Sequence, residues 1–138
     1  MASAATGYSG TPLVKKLGIQ PGMTLQVIDP PRPYAQIVDG LPTDLSVVSR
    51  TTATTQLVHL FVRDAARLER ALSALRERLP AAAVVWVSWP KKASGVASDV
   101  DEHAVRRIAL PMGWVDVKVC AVDAVWSGLK LVVRKSLR

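Results

Sequence analysis

The sequence predicts a three-layer α/β domain. Its sheet has about six mostly parallel strands and is closed by a C-terminal antiparallel hairpin. Three observations predict it. Two apolar runs, Leu57–Val62 and Ala83–Trp89, are hydrophobic at both alternate sets of positions, as in strands covered on both faces at the centre of a parallel sheet. An amphipathic helical stretch lies between them, with Leu68, Leu72, Leu75 and Leu79 at 3/4 spacing. The last two strand-like runs have no helical stretch between them, so they pair as a hairpin.

Taken in order, residues 1–10 are small and polar and read as a flexible N-terminus before one domain over residues 11–138. Thr11 and Pro12 suit a helix start and Gly18 a helix stop, giving a short helix over Pro12–Leu17. A first strand covers about Thr24–Asp29. Pro30, Pro31 and Pro33 then bar further pairing. A short helix over Tyr34–Asp39 and a short strand over Leu45–Ser49 follow. The connector Arg50–Gln56 is too short for a helical crossover. Extended at roughly 3.3 Å per residue, it still spans about 20 Å, so a bare loop crossing is feasible. The order of the first three strands stays open on this reading.

Asp64 caps the amphipathic helix and Pro80 ends it. Trp86 and Trp89 differ by three positions in a strand and point to opposite faces. Ser98 and Asp101 resemble a capping box at the start of the next helix, which turns Val105, Ile108 and Ala109 inward. Val115–Val122 alternates, with Val115, Val117, Val119 and Ala121 on one side. Asp123–Gly128 reads as a loop and Leu129–Lys135 as the last strand.

Composition narrows the function classes. A chain of 138 residues is one domain, and at this size about 70% of the unfolded surface can be buried without disulfides or metals. The single cysteine, Cys120, permits no internal disulfide. No apolar run is long enough to span a bilayer and the N-terminus lacks a secretory pattern. These features lead to the expectation of a soluble cytoplasmic protein without membrane partners. The net charge of +7 favours anionic partners through its field. The basic residues are scattered and the aromatic residues few, so nucleic-acid binding ranks third among the functional readings.

A parallel sheet closed by a reversed strand resembles the Rossmann-like methyltransferase architecture, here with six strands, one fewer than in that family. The segments Gly7–Ile19 (GYSGTPLVKKLGI), Val87–Gly95 (VSWPKKASG) and Val115–Lys135 (VDVKVCAVDAVWSGLKLVVRK) together resemble a second, narrower group. This is the family of small actinobacterial proteins catalogued as domain of unknown function 3052. That resemblance implies a cytoplasmic single-domain protein and no particular activity.

The residues argue against the familiar enzymes. A methyltransferase needs a glycine-rich turn after its first strand and an acid at the end of its second. Here the first strand is followed by Asp29-Pro30-Pro31-Arg32-Pro33 and the second by Ser49-Arg50. Asp29 could be a remnant of an acidic cofactor position, but a capping role is the stronger reading. The dinucleotide and P-loop fingerprints are absent, so no cofactor is expected. His59, His103 and Cys120 show no metal-ligand spacing. His59 reads as a satisfied core histidine and Cys120 as a small core hydrophobe. Ser88-Trp89-Pro90 is not a nucleophile elbow, and no catalytic residue is assigned.

What remains is the turn after the strand Ala83–Trp89, beyond the carboxyl end of the sheet, where open α/β sheets bind ligands. Lys91, Lys92, Ser94, Gly95, Trp89 and Trp126 form the candidate ligand-binding set. Against this stands a solvated loop whose lysines pair with Asp99, Asp101 and Glu102. The leading expectation is a non-catalytic binding or regulatory module that takes an anionic small molecule or a protein partner at this edge. The alternative is a divergent, methyltransferase-like transferase with an unconventional pocket.

Overall fold

The computed structural model describes residues 10–138. The expected flexible N-terminus therefore lies, apart from Gly10, outside the described residues. Six strands form one sheet: β1 (Thr24–Ile28), β2 (Ser46–Val48), β3 (Leu57–Phe61), β4 (Val84–Pro90), β5 (Trp114–Ala121) and β6 (Trp126–Val133). Their spatial order is β2-β1-β3-β4-β6-β5. The pairs β1–β2, β1–β3 and β3–β4 are parallel, and β6 runs antiparallel to both β4 and β5. Among the described residues three α-helices accompany the sheet: α1 (Leu13–Leu17), α2 (Ala65–Arg78) and α3 (Glu102–Ala109). Among the described residues no helix is long and apolar enough to cross a membrane.

The predicted architecture is the observed one. All five residues of β3 are buried, as are all but the first of β4. Side-chain alternation divides the core in two. Val58, Leu60, Val85, Val87 and Trp89 face α2 and α3, meeting Leu68, Leu72, Leu75, Val105 and Ile108. Leu57, Phe61 and Trp86 face the other way, against Leu17, Ile19 and Tyr34. Trp86 and Trp89 thus lie on opposite faces, as their spacing predicts. The Trp86 indole N–H donates to the Leu17 carbonyl at 2.9 Å and ties α1 onto the sheet.

Several element ends differ from expectation, each for a local reason. Helix α1 starts at Leu13, because Pro12 has an extended ψ of 146°. The stretch after Pro33 makes only one 3-10 turn, Tyr34–Gln36, and no helix to Asp39. The connector after β2 does cross as a bare loop. Thr51 Oγ1 donates to Gln26 Oε1 at 2.8 Å and anchors it to the middle of β1. Helix α3 is capped by Asp101, whose Oδ1 accepts the Ala104 amide at 2.8 Å, and not by Ser98. Ser98 instead accepts the Val100 amide and donates to the Arg63 carbonyl.

The final hairpin shows two further corrections. Strand β6 begins at Trp126, because Asp123 Oδ1 accepts the amides of Val125 and Trp126 at 2.8 and 2.7 Å and shortens the loop to a tight turn. Val117 and Val119 do not continue a buried stripe; they are 52% and 43% exposed. A bulge between Asp116 and Lys118 breaks the β5–β6 register there. Strand β5 is also the outer strand, where bulges interrupt further pairing.

Candidate functional site

The site is built where the strand connections diverge. From β1 the chain proceeds outward to β2, while from β3 it proceeds to β4 on the other side. The β1–β3 boundary is therefore the switch point, where an open α/β sheet leaves a crevice beyond its strand ends. A cleft of about 950 Å³ opens there, within the size range of small-molecule sites. Asp29 and Pro31 line it from the β1 exit, and Arg63, Asp64 and Arg67 from the start of α2. Val96 and Ala97 form one wall, and Phe61 and Trp126 sit at its base.

Each side of the cleft has an identifiable cause. Asp29 turns the chain out of β1 with a φ of +55°, the one non-glycine residue in the left-handed region among those described. Aspartate tolerates that conformation better than most residues. Its carboxylate accepts a hydrogen bond from the Arg67 guanidinium and forms an ion pair with it. Asp29 caps no helix, so the expected capping role is replaced by this pairing. Asp64 Oδ1 accepts the amides of Ala66 and Arg67 at 2.8 and 3.3 Å. Asp99 Oδ1 accepts the Ala65 amide at 2.7 Å. Two carboxylates thus already occupy the first amides of α2, leaving that helix end no free donors for an anion. The Arg63 guanidinium, by contrast, has no partner among the described residues.

The wall is pinned to α2 by the same contacts. Asp99 donates its amide to the Arg63 carbonyl at 3.1 Å, and the Ser98 hydroxyl donates to that carbonyl at 3.0 Å. The base is aromatic. Phe61 stacks on His59 at 4.2 Å between ring centroids and meets Trp126 edge to face at 5.4 Å. Beneath it, His59 Nδ1 lies 2.7 Å from the Tyr34 hydroxyl and Nε2 lies 2.7 Å from Ser88 Oγ. His59 and Ser88 are fully buried. Burial without a charged partner lowers the His59 pKa from 6.5 to about 3, so the ring is neutral and one nitrogen accepts while the other donates. Burial likewise raises the Tyr34 phenol, with a smaller push from Cys120. The Tyr34–His59–Ser88 trio pairs a serine with a histidine, but Ser88 is fully buried, and the trio acts as a satisfied core network. His59 is the core histidine expected from its strand.

Trp126 is held by a clasp around Asp123. Besides the two amide bonds, Asp123 Oδ2 accepts from Arg32 Nη2 at 2.9 Å, and its backbone carbonyl accepts from Lys91 Nζ at 3.0 Å. Burial pushes the Asp123 carboxyl up, but the Trp126 amide, Arg32 and the Val125 amide together hold it below the usual carboxylate range. The clasp joins the exits of β1 and β4 to the β5–β6 turn.

The sequence-predicted residues are only partly brought together. Trp126 lines the cleft. Lys91 is engaged in the clasp, and Trp89 is buried among α2 and α3 side chains. Ser94 Oγ donates to the Lys91 carbonyl at 2.6 Å and accepts the Val96 amide, closing its own turn. Gly95 ends that turn with a φ of +79°, a conformation that glycine adopts without strain. Lys92 and Gly95 line a separate, smaller hollow of about 420 Å³ that Asp99 and Asp101 also face. The expected pairing of Lys91 and Lys92 with Asp99, Asp101 and Glu102 is not formed. Those acids serve Ala65, Ala104 and Arg106 instead. Sequence reasoning missed Arg63 and Arg67 as cleft residues. The signal available was the position of Arg63 directly after a strand predicted to lie at the sheet centre, and of Arg67 in the first turn of the helix that follows it.

No family model matches the chain, and no curated protein matches it. Solved structures do. It is similar to a protein from Sulfolobus solfataricus assigned as a type 11 methyltransferase, with TM-score 0.63 and 12% identity over 89% of this chain and 90% of that one. It is similar to a SAM-dependent methyltransferase from Aquifex aeolicus, with TM-score 0.62 and 13% identity over 95% and 92%. A ribosomal protein L11 methylase from Lactobacillus delbrueckii subsp. bulgaricus aligns with TM-score 0.53 and 10% identity over 88% and 74%. The fold is therefore methyltransferase-like.

That fold raises the question of an S-adenosyl cofactor, and the residues do not fit its usual support. The turn out of β1 places the rings of Pro30, Pro31 and Pro33 where bare glycine backbone would be required, and its one left-handed position is Asp29. Strand β2 ends at Val48 and continues into Ser49 and Arg50, with no acid to accept ribose hydroxyls. Among the described residues no cluster of acidic, histidine or cysteine side chains could hold a metal ion.

Proposed function

We propose that this chain is a divergent methyltransferase-like protein that takes a nucleoside-sized ligand in the switch-point cleft through contacts of its own. The observation that carries this reading is the cleft itself, about 950 Å³, at the ligand position of the fold. Arg63 and Arg67 supply donors for an anionic group, and Asp29 supplies an acceptor. The edge of Trp126 supplies an apolar contact. A purely binding role is the second reading, favoured by the proline-filled turn after β1.

Calorimetric titration with S-adenosylmethionine, S-adenosylhomocysteine and adenosine tests both. The expected result is submillimolar binding of at least one of the three, weakened about tenfold or more, roughly 1.4 kcal/mol, by Arg67→Ala or Trp126→Ala. Binding of S-adenosylmethionine supports the transferase form, and binding of adenosine alone supports the binding-only form. No heat from any of them at millimolar concentration overturns the proposal.

A further inference from the structure

The face of the sheet that carries α1 has a charge arrangement unconnected with the cleft. Lys118 of β5 and Lys130 of β6 are direct cross-strand partners. Like charges placed opposite one another destabilise a ladder. Both point to the α1 side, because Lys130 also aligns with Trp86, which packs beneath α1. Cys120, two residues beyond Lys118 on the same face, packs against that same cluster. Lys16 adjoins Leu17, whose carbonyl accepts the indole N–H of Trp86, the cross-strand partner of Lys130, so the α1 lysine lies over the same face. Burial pushes the Cys120 thiol up, while the charges of Lys16 and Lys118 pull it the other way.

Nothing in the described chain relieves this concentration. None of the three lysines has an acidic partner among the described residues. Asp116, the one acid within β5 and β6, turns to the opposite face and accepts from Arg106 Nε at 2.8 Å. The stem of Lys130 is half-buried, which limits how far its ammonium can retreat. The facing pair therefore places two like charges together, which an external anion would offset.

We propose that Lys16, Lys118 and Lys130 form a binding site for a small diphosphate-type anion on the α1 face, with Cys120 at its margin. Two of the charges stand opposite one another on neighbouring strands, and the third lies on the helix that covers the same face. That geometry suits a compact multiply charged group more than an extended polymer.

Inorganic pyrophosphate at low ionic strength is the probe. Its saturable binding raises the melting temperature of the wild type and slows alkylation of Cys120 by the neutral reagent N-ethylmaleimide several-fold. In Lys118→Gln and Lys130→Gln the pyrophosphate effect falls at least tenfold in affinity. The melting temperature without pyrophosphate rises, because the facing repulsion is gone. Arg67→Ala, which alters only the cleft, keeps the full pyrophosphate response. Absence of any response in the wild type overturns the site. So does an equal response in the two glutamine variants, or a response abolished by Arg67→Ala.

Discussion

His59 makes the stability of this protein depend on acid in a way that can be measured against a single variant. The imidazole is fully buried, with its nitrogens 2.7 Å from Tyr34 and Ser88, and burial lowers its pKa from 6.5 to about 3. In the unfolded chain the ring takes up a proton below about pH 6.5, whereas in the folded chain it stays neutral. Its contribution is therefore fully present above pH 6.5 and is lost as the pH falls toward 3. At about 1.4 kcal/mol per pH unit, the loss between pH 7 and pH 4 is roughly 3 kcal/mol. His59→Gln removes the titrating group while leaving a polar side chain. It starts lower at neutral pH, since two buried hydroxyls lose well-placed partners at about 1–3 kcal/mol each. Urea unfolding of both proteins at pH 7, 5 and 4 gives the comparison. The gap between them narrows by roughly 3 kcal/mol on acidification. Parallel stability profiles would refute the neutral buried histidine.

Asp123→Ala removes the acceptor for Val125, Trp126 and Arg32. We expect a loss of about 2 kcal/mol in urea unfolding, with a red shift of tryptophan emission as Trp126 loosens. Because that carboxyl is held below its usual range, its contribution is present above the unfolded value and fades as the pH falls through the folded one. Gly113→Ala places a Cβ 2.7 Å from Leu137 Cδ1 and 3.2 Å from Arg76 Nε, at a φ of +99°. It costs about 1–2 kcal/mol through backbone strain, read as a lowered urea midpoint.

Legibility in the sequence followed the range of the interaction. The doubly covered strands, the α2 face and the reversed final strand rest on local hydrophobic period and were readable. Pairings between distant residues were not. Asp29 meets Arg67 and Arg32 meets Asp123 only because the strand order brings β1, β3 and the last turn to one edge. The same edge turned Lys91 from a candidate ligand group into part of the clasp on Asp123. Trp126 reaches the cleft lining from the first position of β6, next to the turn where the sequence placed it. The β5 bulge carried no sequence signal, since Val117 and Val119 continue the apolar alternation that the fold breaks.

The placement of β6 between β4 and β5 has a consequence for how the chain acquires its structure. Among the described residues strand β5 has no sheet neighbour other than β6, and β6 joins β4 through pairs such as Val84 with Val132. A nascent chain released only as far as Ala121 therefore holds β5 without a template, and the right half of the sheet waits for the last eight-residue strand. The pairing of β6 with β4 joins residues far apart in sequence, a slow kind of contact to form. Strand β6 is therefore the link that holds the outer hairpin to the sheet: removing it opens the edge of β4 and leaves β5 without a partner among the described residues.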